Sequence, residues 1–321
     1  MNGYVALTDF SWYSFLQSRS SWDEINFWQP KGGSLLNPPS GMPLFFKLHA
    51  DRGSWIVGYG FFSWRSRLPA WMAWDYFGGA NGAPDRASFL HLLAERRGEP
   101  VDPTGNFDIG CLLIGRPVFF SEPDWVRPPA DWPRTGVQQG KSYDVTTGEG
   151  RRLLDECLAR ATRYPAEISP GAGASPHAEG RFERFGNPYL TTPRLGQGGF
   201  RLAVIDTYSR MCAITTEHSL PVLEAAHIRP YEEGGEHDLR NGLLLRADIH
   251  KLFDKGFVTV TPDYRRFLVS RRLMDDYRNG RVYYDLQARI KEEGGIHLPS
   301  DPALRPDPEL LAWHMKEKFV A

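Results

Sequence analysis

Residues 223–256 read LEAAHIRPYEEGGEHDLRNGLLLRADIHKLFDKG. With Val222 in front, VLEAAHI is β-prone and stops at Pro230. YEEGGEHDLRN, residues 231–241, is a turn-rich loop around Gly234-Gly235. GLLLRADIHKLFDKG, residues 242–256, carries apolar residues at helical spacing and closes on Gly256, a residue suited to a helix C-terminus. FVTV then resumes as a strand. The expected order is strand, loop, helix, with His227 on the strand, Asn241 at the loop's end, and His250 and Asp254 on the helix. Those last two are four residues apart and share one helical face. Such a His/Asp pair can hold one divalent cation.

The intervals are fourteen residues from His227 to Asn241, nine to His250 and four to Asp254. In this pattern the segment resembles the HNH, or ββα-metal, endonuclease motif, in the branch reading AAHI-x-P, GG, NGLLL and H-x-LFD-x-G. The likeness is close over residues 212–260 and looser toward VSRRL (269–273) and LAWHMKEKF (311–319). It implies that His227 is a general base activating water against a phosphodiester, and that Asn241 braces the loop so that His227 keeps its orientation. It implies further that His250 binds a single catalytic metal, with Asp254 as second ligand. The imidazole's titration near neutrality suits the first role. The expected cofactor is one divalent cation, Mg²⁺ or Mn²⁺, per nuclease site, neutralising a phosphoryl oxygen and the leaving 3′ oxygen. The products would carry 5′-phosphate ends.

One position departs from the wider family, where Asp or His often precedes the general base and binds metal. Here that residue is Ala226. Glu224, two residues back on the same strand face, is the candidate replacement. Cys212 stands alone in MCAIT, so no structural zinc is expected. A single strand histidine is more often a satisfied core residue; four matched positions in the right order outweigh that reading. His218 and His237 lie off the pattern and read as loop residues.

Upstream, FRLAVIDTYSRMC is helix-like. YPAEISPGAGASPHAEGRFERFGNP, residues 164–188, has no hydrophobic period and reads as an exposed connector. EGRRLLDECLARATR before it has helical spacing. The division expected is 1–145, a helix and linker over 146–193, and a nuclease domain over 194–321. Within the first part, residues 43–49 and 55–64 form a hairpin signal around an Asp-Arg-Gly turn. FDIGCLLIGRPVFF reads as a further buried strand pair around Gly115, and residues 85–97 as a helix with Asp85 as N-cap.

This first part resembles, on FWQP (27–30), LFFKL (44–48) and WIVGYGFF (55–62), the PUA-like base-reading domains of the EVE, ASCH and SRA types. Its coupling to an HNH module resembles modification-dependent restriction enzymes. The fold class expected is therefore α+β, a PUA-like β-barrel-type domain followed by a ββα-metal domain. The implied partner is double-stranded DNA carrying a modified cytosine, read by flipping the base into an aromatic pocket. Stacking contributes about 1–3 kcal/mol per base, comparable with the few kcal/mol that unstacking costs. Candidate pocket residues are Trp28, Phe46, Tyr59, Phe61, Trp64, Trp71 and Trp74, with Asp75 or Asn81 to read a base edge. Tyr59 and Phe61 share one strand face; the competing explanation is that such aromatics are core. HNH modules cut one strand each, so double-strand cleavage calls for a homodimer or two visits. Two other readings stay open: a modified-DNA reader whose nuclease has decayed, with Ala226 as the symptom, or a nuclease gated by an RNA- or small-molecule-binding domain.

Across the chain, 38 Lys and Arg against 39 Asp and Glu argue against binding nucleic acid through bulk charge. A local basic face remains open to Arg65, Arg67, Arg194, Arg201, Arg210, Arg229, Arg240 and Arg246. MNGYVALTDFSWYSFL lacks the layout of an export signal, and no apolar run approaches the roughly 20 residues that span a bilayer. Three cysteines without a close pair suit a reducing cytoplasm better than a disulfide framework.

Overall fold

The computed structural model describes residues 1–19, 22–32, 38–133, 140–164 and 195–321. It divides into two compact units, Met1–Gly196 and Gln197–Ala321. The expected connector, apart from Tyr164, and Arg194 lie outside the described residues. No helix among the described residues is long and apolar enough to cross a membrane.

In the first unit six strands among the described residues form one sheet: β1 (Asn2–Thr8), β2 (Glu24–Gln29), β3 (Pro43–Leu48), β4 (Ile56–Pro69), β5 (Asp108–Phe119) and β6 (Gly140–Asp144). Their order is β2-β5-β4-β3-β1-β6. β1 and β3 run parallel, and every other neighbouring pair runs antiparallel. Closure into a barrel requires the first and last strands to pair. Here β2 and β6 sit at opposite edges, so among the described residues the sheet is open. The barrel expected for this unit is corrected to an open mixed sheet within an α+β fold.

Among the described residues four helices accompany the sheet: α1 (Phe10–Gln17), α2 (Ala70–Phe77), α3 (Arg86–Arg97) and α4 (Gly148–Ala161). Successive strand residues point to opposite faces, and the pair Phe45/Phe46 shows what covers each. Phe46 stacks on Phe119, with ring centroids 5.3 Å apart, and meets Trp12 of α1. Phe45 joins Tyr59, Phe61 and Phe120 in a core completed by Leu153, Leu154 and Cys157 of α4. The helix expected at the head of the linker is therefore part of the first unit's core.

The predicted hairpin forms between β3 and β4, its turn closing on Gly53 at φ 78°. α3 starts as expected, with the Asp85 carboxylate accepting the Ser88 N–H at 2.8 Å. The strand pair expected around Gly115 is instead one continuous strand, β5. It has no reversal there; Arg116 takes a positive φ of 49° and β5 runs on to Phe119, paired with β4 on both sides of that bend.

The second unit contains α5 (Gln197–Thr207), β7 (Leu223–His227), β8 (Gly242–Arg246), α6 (Ala247–Asp254), β9 (Val258–Val260), β10 (Phe267–Val269), α7 (Arg272–Tyr277), α8 (Arg281–Glu293) and α9 (Pro308–Glu317). β7 and β8 pair antiparallel, as do β9 and β10. Residues 242–246, expected within the helix, are a strand. Leu243, Leu244 and Leu245 are all buried, and such a short apolar run fits a buried strand as well as a helix. Behind α6, His314 of α9 stacks on Phe253 with centroids 3.7 Å apart. Its ring nitrogens reach the Thr259 hydroxyl at 2.9 Å and the Phe253 carbonyl at 3.1 Å. The tail thereby fixes the helix that carries His250 and Asp254.

Candidate active site

The β7–β8 hairpin and α6 bring four of the five sequence-predicted nuclease residues onto adjacent elements. Their register pairs His227 with Gly242 and Glu224 with Leu245. Upstream, the Ala213 N–H donates to the Leu244 carbonyl at 2.7 Å. Cys212 is structural here: its sulfur accepts the backbone N–H groups of Ile214, Thr215 and Arg246 at 3.2–3.5 Å. His218 is an exposed loop residue.

Asn241, the fifth, is buried and holds the loop closed. Its Oδ1 accepts the Arg229 N–H at 2.9 Å, while Nδ2 donates to the carbonyls of Arg229 at 3.0 Å and Glu236 at 2.9 Å. The amide therefore clamps the chain just after His227 to the chain just before His237. Gly235 is required at this closure, since a Cβ there would lie 1.9 Å from the Arg229 carbonyl oxygen.

His227 lies flat on the buried ring of Phe200 from α5, with centroids 4.0 Å apart and planes 14° from parallel. Its Nε2 is 3.0 Å from Nδ1 of His237. Burial first, then the charges of His237, His250 and Arg201, push its pKa down to about 4. At neutral pH the ring is uncharged and keeps a lone pair, as a base must.

His250 is held from both sides. Nδ1 lies 2.6 Å from Glu224 Oε2, and Nε2 lies 3.3 Å from Asp254 Oδ2. Burial pushes the Asp254 carboxyl up, opposed by the charge of His250. Ala226, fully buried, has no donor to offer, and the neighbouring carboxylate on β7 belongs to Glu224. Among the described residues no group of three His, Cys, Asp or Glu side chains is arranged to hold a metal ion. Here the two carboxylates occupy opposite nitrogens of one ring. In chemistry the donor types suit a divalent cation all the same: two carboxylates, each in contact with the one imidazole across β7 and α6, are ligands Mn²⁺ takes readily.

Two members of the site escaped the sequence reading. In sequence His237 reads as a loop residue off the pattern; the turn at Gly234-Gly235 brings it back against His227, and Tyr231 stacks on its ring at 5.2 Å. Phe200 lies far upstream with no motif to mark it. Arg229 is a third element of interest. Its guanidinium carbon is 5.2 Å from the Trp313 ring centroid, and its buried Nε has no hydrogen-bond partner among the described residues.

The candidate base-pocket residues are not gathered into one place. Tyr59 and Phe61 lie in the core under α4, and Phe46 packs on the other face of the sheet. Trp28 and Trp74 both pack against Phe89, and the Trp28 indole donates to the Asn81 carbonyl at 2.8 Å. Asn81 is fully buried, its amide spent on Asn26, Ala73 and Gly78. Trp64 and Trp71 are half-buried and Asp75 is exposed.

None of the curated proteins matches this chain. The hairpin, the clamped loop and the helix that follows coincide with a known domain: residues 212–261 match the family model described as HNH endonuclease.

Proposed function

We propose that this protein is a metal-dependent DNA endonuclease whose second unit hydrolyses phosphodiester bonds. One observation carries the reading: a half-buried His227 ends β7, the strand whose Glu224 bonds His250 in the Glu224–His250–Asp254 cluster.

His227 accepts a proton from water as the water oxygen bonds to phosphorus. The bond from phosphorus to the 3′ oxygen breaks, and that oxygen takes a proton from solvent, leaving a 5′ phosphate. Phe200 and Asn241 keep the imidazole in place through this change. Glu224, His250 and Asp254 would hold the divalent cation, which supplies Lewis-acid stabilisation of charge on the phosphoryl group. Arg229 faces no carboxylate partner among the described residues' ion pairs and suits a neighbouring phosphate.

The first unit serves, in this proposal, as the reader that directs cleavage to DNA carrying a modified cytosine. Its partly exposed indoles, Trp28, Trp64, Trp71 and Trp74, are the surfaces available for stacking on a flipped base, with Asp75 nearby in sequence. Two copies would cut both strands. The test is digestion of matched plasmids that differ only in cytosine modification, by wild type and His227→Ala, with Mg²⁺ and Mn²⁺ in parallel. The proposal expects nicking by wild type alone and faster cutting of a modified substrate. Equal nicking by both proteins overturns the nuclease assignment, and equal rates on all substrates overturn the reader assignment.

A further inference from the structure

We infer that His237 is a positioning residue which fixes the tautomer and orientation of His227, so that the base presents Nδ1 to the attacking water. The inference rests on the nuclease reading of the same site.

With one proton on each ring, the hydrogen bond between His227 Nε2 and His237 Nδ1, at 3.0 Å, has two solutions. If His237 donates, His227 accepts at Nε2 and its single proton sits on Nδ1. No lone pair then remains for water. If His227 donates from Nε2, its Nδ1 carries the lone pair, and His237 carries its own proton on Nε2. Only the second arrangement keeps both the observed contact and a working base. It also survives the chemistry. When Nδ1 takes the proton from water, the imidazolium still donates from Nε2, now as a charged and stronger donor. His237 thus occupies the third place in a base-and-orienter arrangement, the place a carboxylate fills elsewhere.

His237 is itself held for this task. Tyr231 stacks on it with planes 13° apart, and Phe200, the platform of His227, lies 5.6 Å from it. The carbonyl just before it is tied by Asn241, and the turn that returns it has no room for a side chain at Gly235. The loop therefore delivers one imidazole to the far nitrogen of the other.

The experiment compares wild type, His237→Ala and His237→Asn on one supercoiled plasmid, with kcat and KM separated. It also reads the imidazole ¹⁵N shifts of His227 in each protein. Asn places its carbonyl oxygen where Nδ1 stood and can accept the same bond. His237→Ala is expected to lose about 100-fold in kcat with KM and melting temperature near wild type. His237→Asn is expected to recover about tenfold of that loss. Unchanged kcat in the Ala variant, or Asn and Ala equally impaired, overturns the inference. If wild type cuts no DNA, the nuclease reading fails, and the shifts decide this inference separately. A His227 protonated on Nε2 in wild type that loses this single tautomer in His237→Ala supports it; one protonated on Nδ1 in wild type overturns it.

Discussion

Glu224 and Asp254 hold opposite nitrogens of one imidazole, that of His250, one from the strand and one from the helix. The i, i+4 spacing supplies Asp254, and the hairpin register supplies Glu224 from 26 residues upstream. In the proposed metal site, Glu224 would stand in for the donor missing at Ala226. Glu224→Ala is expected to weaken Mn²⁺ binding about tenfold or more, by analogy with the 10–100-fold losses seen when groups supporting a metal site are removed. Because Glu224 is 47% exposed, its melting temperature should stay within a degree or two of wild type, as surface substitutions do. Isothermal titration with Mn²⁺ alone reads the effect, and unchanged affinity would remove Glu224 from the metal site.

Asn241 ties together two stretches of chain, and its loss leaves their groups unsatisfied. Asn241→Ala frees the Arg229 N–H and two carbonyls in a buried place. At about 1–3 kcal/mol per unsatisfied group, with part recovered by water, the expected loss is about 2–4 kcal/mol. Asn241→Asp should be no milder, since it turns a carboxylate oxygen toward two carbonyl oxygens. Calorimetric unfolding of the full chain checks both variants. A melting temperature unchanged in either would show that the loop is held by something else.

Acid should loosen the second unit through His314, which is buried, and His227, which is half-buried. Burial pushes the pKa of His314 down to about 4, against an ordinary value near 6.5. The unfolded chain therefore takes up a proton that the folded chain refuses. Stability is full above about pH 6.5, falls as the pH drops toward 4, and levels below that. The shift corresponds to about 3 kcal/mol, and His227 acts in the same direction. Urea unfolding at pH 7.5 and 4.5 should show a smaller difference for His314→Gln than for wild type. Equal differences would contradict the assignment.

Arg229 should contribute to DNA affinity through charge and not through sequence. In a His227→Ala background, which removes turnover, adding Arg229→Ala should weaken binding of a short duplex and lower the salt slope by about one. Arg229→Lys should restore part of the affinity, because a lysine keeps the charge without the planar fork or the stacking on Trp313. Fluorescence anisotropy over a range of salt concentrations gives both quantities. An unchanged slope would place Arg229 outside the DNA path.

Much of the site was legible because its chemistry repeats at fixed intervals. Asn241, His250 and Asp254 are spaced by a hairpin and a helix, and that spacing is written along the chain. Glu224 was reachable by strand alternation. His237 was not, because its role depends on a turn bringing a loop back onto the strand it left. Phe200 packs under His227 from a separate helix, and nothing in FRLAV signals a platform. In the first unit alternation correctly put Tyr59 and Phe61 on one face, but no local pattern says which face is covered. Here α1 and α4 cover both. The strand β8 was hidden for a related reason: three consecutive leucines satisfy either period.

The central claim is that His227 does the chemistry while the Glu224–His250–Asp254 cluster holds the cation, and both halves can be read on one sample. Mn²⁺ titration and plasmid nicking are measured together for wild type, His227→Ala and His250→Ala. The account predicts that His227→Ala binds one Mn²⁺ per chain as wild type does yet does not nick, whereas His250→Ala loses both. Nicking by His227→Ala at the wild-type rate would contradict it.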